Sequence, residues 1–262
     1  DGDVDGDTKD DILIGAPFYG GSTGRAFLVS SLDLGPTTDL DLPDDADHVF
    51  YGEATGDWAG IRVAGIGDVD GDGRSDMMFG APNNDEVATS AGRSYLVFSG
   101  SPVSVSFDLE DADRFFNGEE GNDLSGRQLG SAGDVDKDGY SDFMIGATGN
   151  DRAGSNAGAV YVFSGGSLSP FATILNASAN WILTGEATGD RASMDLDFAG
   201  DVDGDGRGDL LVGAPNNDDG GSTTGRTYLV LGYFLPSSGV MSLDESVHYF
   251  TGENTSDSSG SA

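Results

Sequence analysis

Short apolar runs recur along the chain, each bounded by Gly, Asp, Asn, Ser or Pro; Ile12-Leu13-Ile14, Tyr95-Leu96-Val97-Phe98 and Val160-Tyr161-Val162-Phe163 are examples. No stretch keeps a 3.6-residue apolar period over ten residues, so long amphipathic helices are not expected. Short runs rich in β-branched and aromatic residues between turn formers read as strands. The run at 160–163 is apolar at every position, which suits a strand covered on both faces.

The runs belong to a repeat. Four segments align without gaps: residues 3–17 (DVDGDTKDDILIGAP), 68–82 (DVDGDGRSDMMFGAP), 134–148 (DVDKDGYSDFMIGAT) and 201–215 (DVDGDGRGDLLVGAP). Their spacings are 65, 66 and 67 residues. Two further signals recur in phase. One is Gly before a strand-like run, at Gly24, Gly92, Gly158 and Gly225; the other is YGEATGD, NGEEGND, TGEATGD and TGENTSD. Each unit therefore reads as four short strands. In the second unit they are expected at 58–66, 76–80, 93–99 and 114–117.

Four-stranded sheets repeated at this length and packed face to face around an axis describe an all-β propeller of antiparallel blades. The units run approximately over 1–57, 58–123, 124–190 and 191–257, with 258–262 beginning another blade. The chain starts inside an acidic loop with Asp1 in place of Met, and stops just past Gly260, the counterpart of Gly60. The expectation is an arc cut from a larger propeller; a closed four-bladed ring whose termini share a blade is the alternative.

Charge narrows the function. Asp and Glu number 46 against 12 Lys and Arg, for a formal net charge of −34. That balance excludes nucleic-acid binding as a default, because phosphate neutralisation needs cations. It also disfavours anionic membrane surfaces, and no apolar run approaches the length of a membrane span. The hydrophobic share of 37% in regular runs argues against disorder. There is no cysteine, hence no disulfide and no thiolate metal site. Bound cations, or a salty habitat that screens self-repulsion, would fit the charge.

The repeat itself supplies cation ligands. Asp-x-Asp-x-Asp-Gly with Asp at position 9 is a loop for a hard ion, since alternate residues of a tight turn aim at one centre and calcium takes six to eight oxygens at about 2.3–2.6 Å. Positions 1, 3, 5 and 9 would give carboxylates and position 7 a backbone carbonyl. The candidate ligands are Asp3, Asp5, Asp7, Asp11 and the Lys9 carbonyl in the first loop, and Asp68, Asp70, Asp72, Asp76 and the Arg74 carbonyl in the second. The third has Asp134, Asp136, Asp138, Asp142 and the Tyr140 carbonyl; the fourth has Asp201, Asp203, Asp205, Asp209 and the Arg207 carbonyl. Up to four structural calcium ions are expected. Gly73, Gly139 and Gly206 make the sharp turn at position 6, where the first loop has Thr8, so that loop is expected to be the weakest. A helix-flanked EF-hand has Glu at position 12; here Phe79, Ile145 and Val212 stand there inside strands. Magnesium, with its octahedral demand and retained waters, fits less well.

The whole chain resembles the FG-GAP repeats of integrin α chains and of related bacterial and archaeal surface proteins. Gly-Ala-Pro is present from Gly15, Gly80 and Gly213, with Gly-Ala-Thr from Gly146. The Phe-Gly element is degraded to Ala59-Gly60, Ser125-Gly126, Ala192-Ser193 and Ser259-Gly260. The resemblance implies a propeller usually of seven blades, and partners docking on the face away from the calcium loops. The loops on that face, 18–23, 83–91, 149–157 and 216–224, also vary most among the copies, as recognition loops on a rigid scaffold do.

Other candidates are weaker. Arg207-Gly208-Asp209 spells an integrin-recognised tripeptide, but Asp209 is a loop ligand. Asn176-Ala177-Ser178 and Asn254-Thr255-Ser256 fit the glycosylation sequon. His48 and His248 occupy equivalent positions before strands, which points to a strand role. Glu53, Glu119, Glu186 and Glu253, with Asp57, Asp123, Asp190 and Asp257, recur four times and read as turn hydrogen bonding, not as a catalytic pair. The expected function is an extracellular or cell-surface calcium module, not an enzyme, that binds a protein or glycan, with adhesion as its role. An accessory domain of a secreted hydrolase or lipase, or a structural surface component, are the alternatives.

Overall fold

The computed structural model describes residues 2–30, 41–42, 44–100, 105–168, 173–236, 238–246 and 248–261. Four sheets follow one another along the chain. The first holds β1 (Ile12–Ala16), β2 (Arg25–Val29) and β3 (His48–Tyr51). The second holds β4 (Arg62–Gly67), β5 (Asp76–Ala81), β6 (Arg93–Val97) and, after the short β7 (Ser106–Asp108), β8 (Arg114–Asn117). The third holds β9 (Ser125–Gly133), β10 (Asp142–Ala147), β11 (Ala159–Phe163) and, after β12 (Thr173–Leu175), β13 (Trp181–Thr184). The fourth holds β14 (Asp195–Gly200), β15 (Asp209–Ala214), β16 (Arg226–Val230) and, after β17 (Gly239–Ser242), β18 (His248–Thr251). Neighbours within each of these four sets pair antiparallel. Among the described residues no helix is long and apolar enough to cross a membrane.

The short strands have a job that the sequence pattern did not disclose. β7 pairs parallel with β3 (Phe50 opposite Phe107), β12 with β8 and β17 with β13. The segment linking the third and fourth strands of one blade thus extends the outer edge of the preceding blade, covering an edge that would otherwise be open.

Alternation sends successive side chains of a strand to opposite faces, and here it divides them between two cores. Met77 and Phe79 join Leu13, Leu28, Phe50 and Tyr95 between the first and second sheets, whereas Met78 joins Leu96, Phe116, Phe143 and Ile145 between the second and third. Met144 turns the other way and packs with Val160, Leu183, Leu210, Val212 and Tyr228 between the third and fourth. Every residue of β5, β6, β10 and β11 is buried, which explains runs with no polar face. Each such large side chain contributes roughly 1.5–3 kcal/mol by leaving water. Among the described residues no core cluster joins the fourth sheet to the first. Ile12, Ile14, Tyr249 and Phe250 are exposed there, so the four blades form an open arc.

The Gly-Ala-Pro glycine is a close-approach residue. A Cβ on Gly80 would collide with the Gly126 carbonyl, and one on Gly15 or Gly213 with the carbonyl of Gly60 or Gly260. The next blade's chain crosses at that point in a turn: Trp58 (φ 61°) and Gly60 (φ 79°) are left-handed, and Ile61 N–H donates to the Trp58 carbonyl. That turn delays the inner strand to Arg62, later than the expected start at 58. At the third junction Ser193 takes the same left-handed conformation, φ 71°, without being glycine.

Candidate metal centres

The second, third and fourth Asp loops each join the innermost strand of a blade to the second, as between β4 and β5, and the first leads into β1. The loop is shaped by its own carboxylates. Asp68 accepts N–H bonds from Gly71 (2.7 Å) and Gly73 (2.9 Å), and Asp72 accepts from Arg74 (2.9 Å). The same set recurs from Asp3 to Gly6 and Thr8, and from Asp134 to Lys137 and Gly139. Positions 4 and 6 are both left-handed. Gly71 and Gly73 have φ of 83° and 90°, while Lys137 (67°) and Thr8 (74°) adopt this conformation as ordinary side chains. A β-branched residue there is strained, which sets the first loop apart.

Position 9 anchors the loop in the blade. Asp11, Asp76, Asp142 and Asp209 are all buried. Asp76 accepts from Val69 N–H (2.9 Å) within its loop and from Ser99 N–H (2.9 Å) at the end of the third strand. Asp142 does so from Val135 and Gly165, and Asp209 from Val202 and Gly232. These double acceptors lay beyond the sequence reading, which assigned position 9 only to a cation. Burial raises the Asp76 carboxyl to about 6 and the Asp142 carboxyl to about 7, against the lowering effect of the two N–H donors each accepts.

The fold brings three of the four candidate carboxylates of each loop together. Asp3, Asp5 and Asp11 offer oxygens within 4.8 Å of one another, as do Asp68, Asp70 and Asp76, then Asp134, Asp136 and Asp142, and finally Asp201, Asp203 and Asp209. The position-5 residues Asp7, Asp72, Asp138 and Asp205 stand outside these groups and hold the N–H of Lys9, Arg74, Tyr140 and Arg207 instead. Position 7, the source proposed for a carbonyl ligand, is thereby fixed in the same turn. The donor set is made of hard oxygens, with no sulfur or imidazole, and suits calcium better than a softer metal.

On the opposite rim the recurring Glu and Asp do more than close turns. Arg93 donates to both carboxylate oxygens of Glu53 at 3.1 Å, and Arg226 to those of Glu186 at 2.9 and 3.0 Å; each pair spans two neighbouring blades. Asn84, Asn150 and Asn217 donate to Asp57, Asp123 and Asp190 across the same seams. In the third blade Ala159 replaces the strand arginine. There Arg152 reaches Glu119 from the adjoining loop at 2.7 Å, joined by the Tyr161 hydroxyl at 2.7 Å. The repeat of Glu and Asp was visible in the sequence, but its partners are non-local, so turn bonding covers only part of the role. Burial raises the carboxyls of Asp57, Asp123 and Asp190 above the ordinary value, while their Asn partners act to lower them.

The remaining motifs resolve readily. Asp209 is 0% exposed, so the Arg207-Gly208-Asp209 carboxylate is not on offer to a partner. Asn176 is also buried, with its amide on Ser125 Oγ (2.5 Å), while Asn254 is exposed. His48 and His248 open strands β3 and β18.

The FG-GAP repeat pattern matches residues 2–29, 59–97, 125–163 and 198–230. The chain is 30% identical to Integrin alpha-PS2 of Drosophila melanogaster over 228 residues, 83% of this chain and 15% of that protein. It is 32% identical to human Phosphatidylinositol-glycan-specific phospholipase D over 224 residues, 81% of this chain and 25% of that one. To human Integrin alpha-IIb it is 30% identical over 227 residues, 81% and 19% of the two chains. The match thus spans a quarter or less of each relative's length.

Proposed function

The chain belongs to the FG-GAP repeat family, and from there we propose that it is a calcium-binding extracellular propeller module that binds a protein or glycan, with adhesion as its role. One observation carries the metal part: the same three carboxylates converge in all four loops, each anchored by a buried Asp at the head of the strand that follows the loop. Asp3, Asp5 and Asp11, and their counterparts, would hold the ion, with the position-7 carbonyls of Lys9, Arg74, Tyr140 and Arg207 and the position-5 carboxylates completing the shell. In the second, third and fourth blades the ion would staple the first strand to the second. At a free calcium about tenfold above Kd, linkage contributes roughly 1.4 kcal/mol per site. Extracellular modules of modest affinity rely on millimolar calcium, which fits the extracellular reading.

The partner would dock on the rim opposite the Asp loops. Phe18 and Tyr19 are exposed on that rim, and Arg25 stacks on Tyr19 at 3.7 Å. Binding is favoured over catalysis because the acidic groups recur in equivalent copies, whereas a catalytic site is usually single. Calorimetric calcium titration tests the metal part, with three or four sites expected and none on Asp-to-Asn variants. Capture of proteins and glycans on an array by the loaded chain, weakened by Phe18→Ala with Tyr19→Ala, tests the binding role. The similarity to a phospholipase D supports a second reading, an accessory domain of a secreted hydrolase. A catalytic domain encoded next to these repeats would favour that reading.

A further inference from the structure

Consecutive Asp loops are bonded to one another through the backbone. Ser75 N–H, in the second loop, donates to the Asp3 carbonyl in the first at 2.8 Å. Ser141 N–H donates to the Asp68 carbonyl at 2.8 Å, and Gly208 N–H to the Asp134 carbonyl at 2.9 Å. The register is the same each time: the donor is position 8, between the candidate ligands at 7 and 9, and the acceptor is position 1, itself in the carboxylate group. Side chains strengthen the seams. Arg207 Nη1 donates to the Val135 carbonyl at 2.7 Å, Lys137 Nζ to the Asp205 carbonyl, and Arg74 lies over Gly6.

Resting on the metal reading above, we infer that the four loops form a coupled array, in which filling one loop raises the affinity of the next. Three carboxylates held within 4.8 Å repel one another until a cation joins them. A loop that relaxes to relieve that repulsion moves its position-1 peptide, the acceptor for the following loop. A cation that orders the first loop therefore fixes the peptide that holds positions 7 to 9 of the second, and the second ion binds to a loop already ordered. The positive charge added at a filled loop opposes this, but solvent and salt screen exposed loops from one another, so the bonded register sets the sign. Contacts are between nearest neighbours only, so coupling should fade with distance along the arc, as in other one-dimensional repeat arrays.

Tyr140 is the only aromatic residue within the four loops, and its ring lies against Gly71 of the second loop, so it reports the third loop alone once the second is disabled by Asp68→Asn with Asp70→Asn. Terbium, a luminescent stand-in for calcium, would be sensitised by Tyr140 when bound in the third loop, and Tyr140→Phe is the control. In that background the fourth loop is disabled by Asp201→Asn with Asp203→Asn, or the first by Asp3→Asn with Asp5→Asn. Circular dichroism at saturating calcium confirms that each variant is folded. Losing the adjacent fourth loop should weaken the third-loop midpoint by about three- to tenfold, the worth of one hydrogen bond, and losing the distant first loop should shift it less. Calorimetry on the unmutated chain gives an independent reading, with a Hill coefficient above 1 expected. A Tyr140-dependent midpoint that ignores loss of the fourth loop, or shifts equally for both variants, overturns the coupling alone. No terbium and no calcium binding overturns the metal reading, and the coupling with it.

Discussion

Arg226 and Glu186 lie in different blades, yet Nη1 of Arg226 sits 2.9 and 3.0 Å from the two carboxylate oxygens of Glu186. Both side chains are largely buried, at 9% and 12% exposure. Removing one partner of a buried pair strands the other charge. Arg226→Ala should therefore cost about 3 kcal/mol in urea unfolding. Arg152→Ala, at the more exposed Glu119 pair (32% and 20%), should cost about 1 kcal/mol or less. Equal losses at the two sites would contradict the burial argument.

Thr8 occupies a left-handed position that glycine fills in the other three loops. Thr8→Gly removes that strain, commonly about 1 kcal/mol or more. Calcium affinity at the first loop should rise about fivefold or more, read by calorimetry in a background with the other loops disabled. No gain would mean that the strain is absorbed elsewhere.

The blade crossing makes opposite predictions for two substitutions. Gly80→Ala drives a methyl into the Gly126 carbonyl and should lower the melting temperature sharply. Ser193→Gly relieves a left-handed serine and should stabilise the chain by about 0.5–1 kcal/mol, measured by urea unfolding.

Much of this architecture is legible in the sequence because it is repeated and local. The DVDGDG loops, the apolar runs and the Gly-Ala-Pro element mark strands and turns by their own chemistry, and the alignment of four copies sets the blade length. What the sequence hides is non-local. Nothing around residues 106–108 says that they will pair with β3 of the preceding blade. Glu119 meets an arginine from a loop and Glu186 one from a strand, and only the packed seam makes these equivalent. The left-handed requirement at position 4 was visible as Gly6, Gly71 and Gly204, but Lys137 at the same position masks it.

Acidity should act in opposite directions on the two forms of the protein. Asp76 and Asp142 have folded-state values raised to about 6 and about 7, above the unfolded value of 3.8. Between these limits the folded chain holds more protons than the unfolded one, so in chelator their destabilising effect appears as pH rises through about 4 to 7. Calcium needs the ionised forms, so its stabilising effect shrinks as pH falls through the same window. The gap between melting temperatures in calcium and in chelator should be wide near pH 7.5 and narrow near pH 5.5. A gap independent of pH would contradict this.

The central claim is that the Asp loops are calcium staples of the blades. Thermal unfolding of one preparation in millimolar calcium and in excess chelator, followed by circular dichroism, tests it most directly. The account predicts a melting temperature higher by well over ten degrees in calcium, with the shift reduced stepwise by Asp76→Asn, Asp142→Asn and Asp209→Asn. Superimposable melts in calcium and chelator would contradict it.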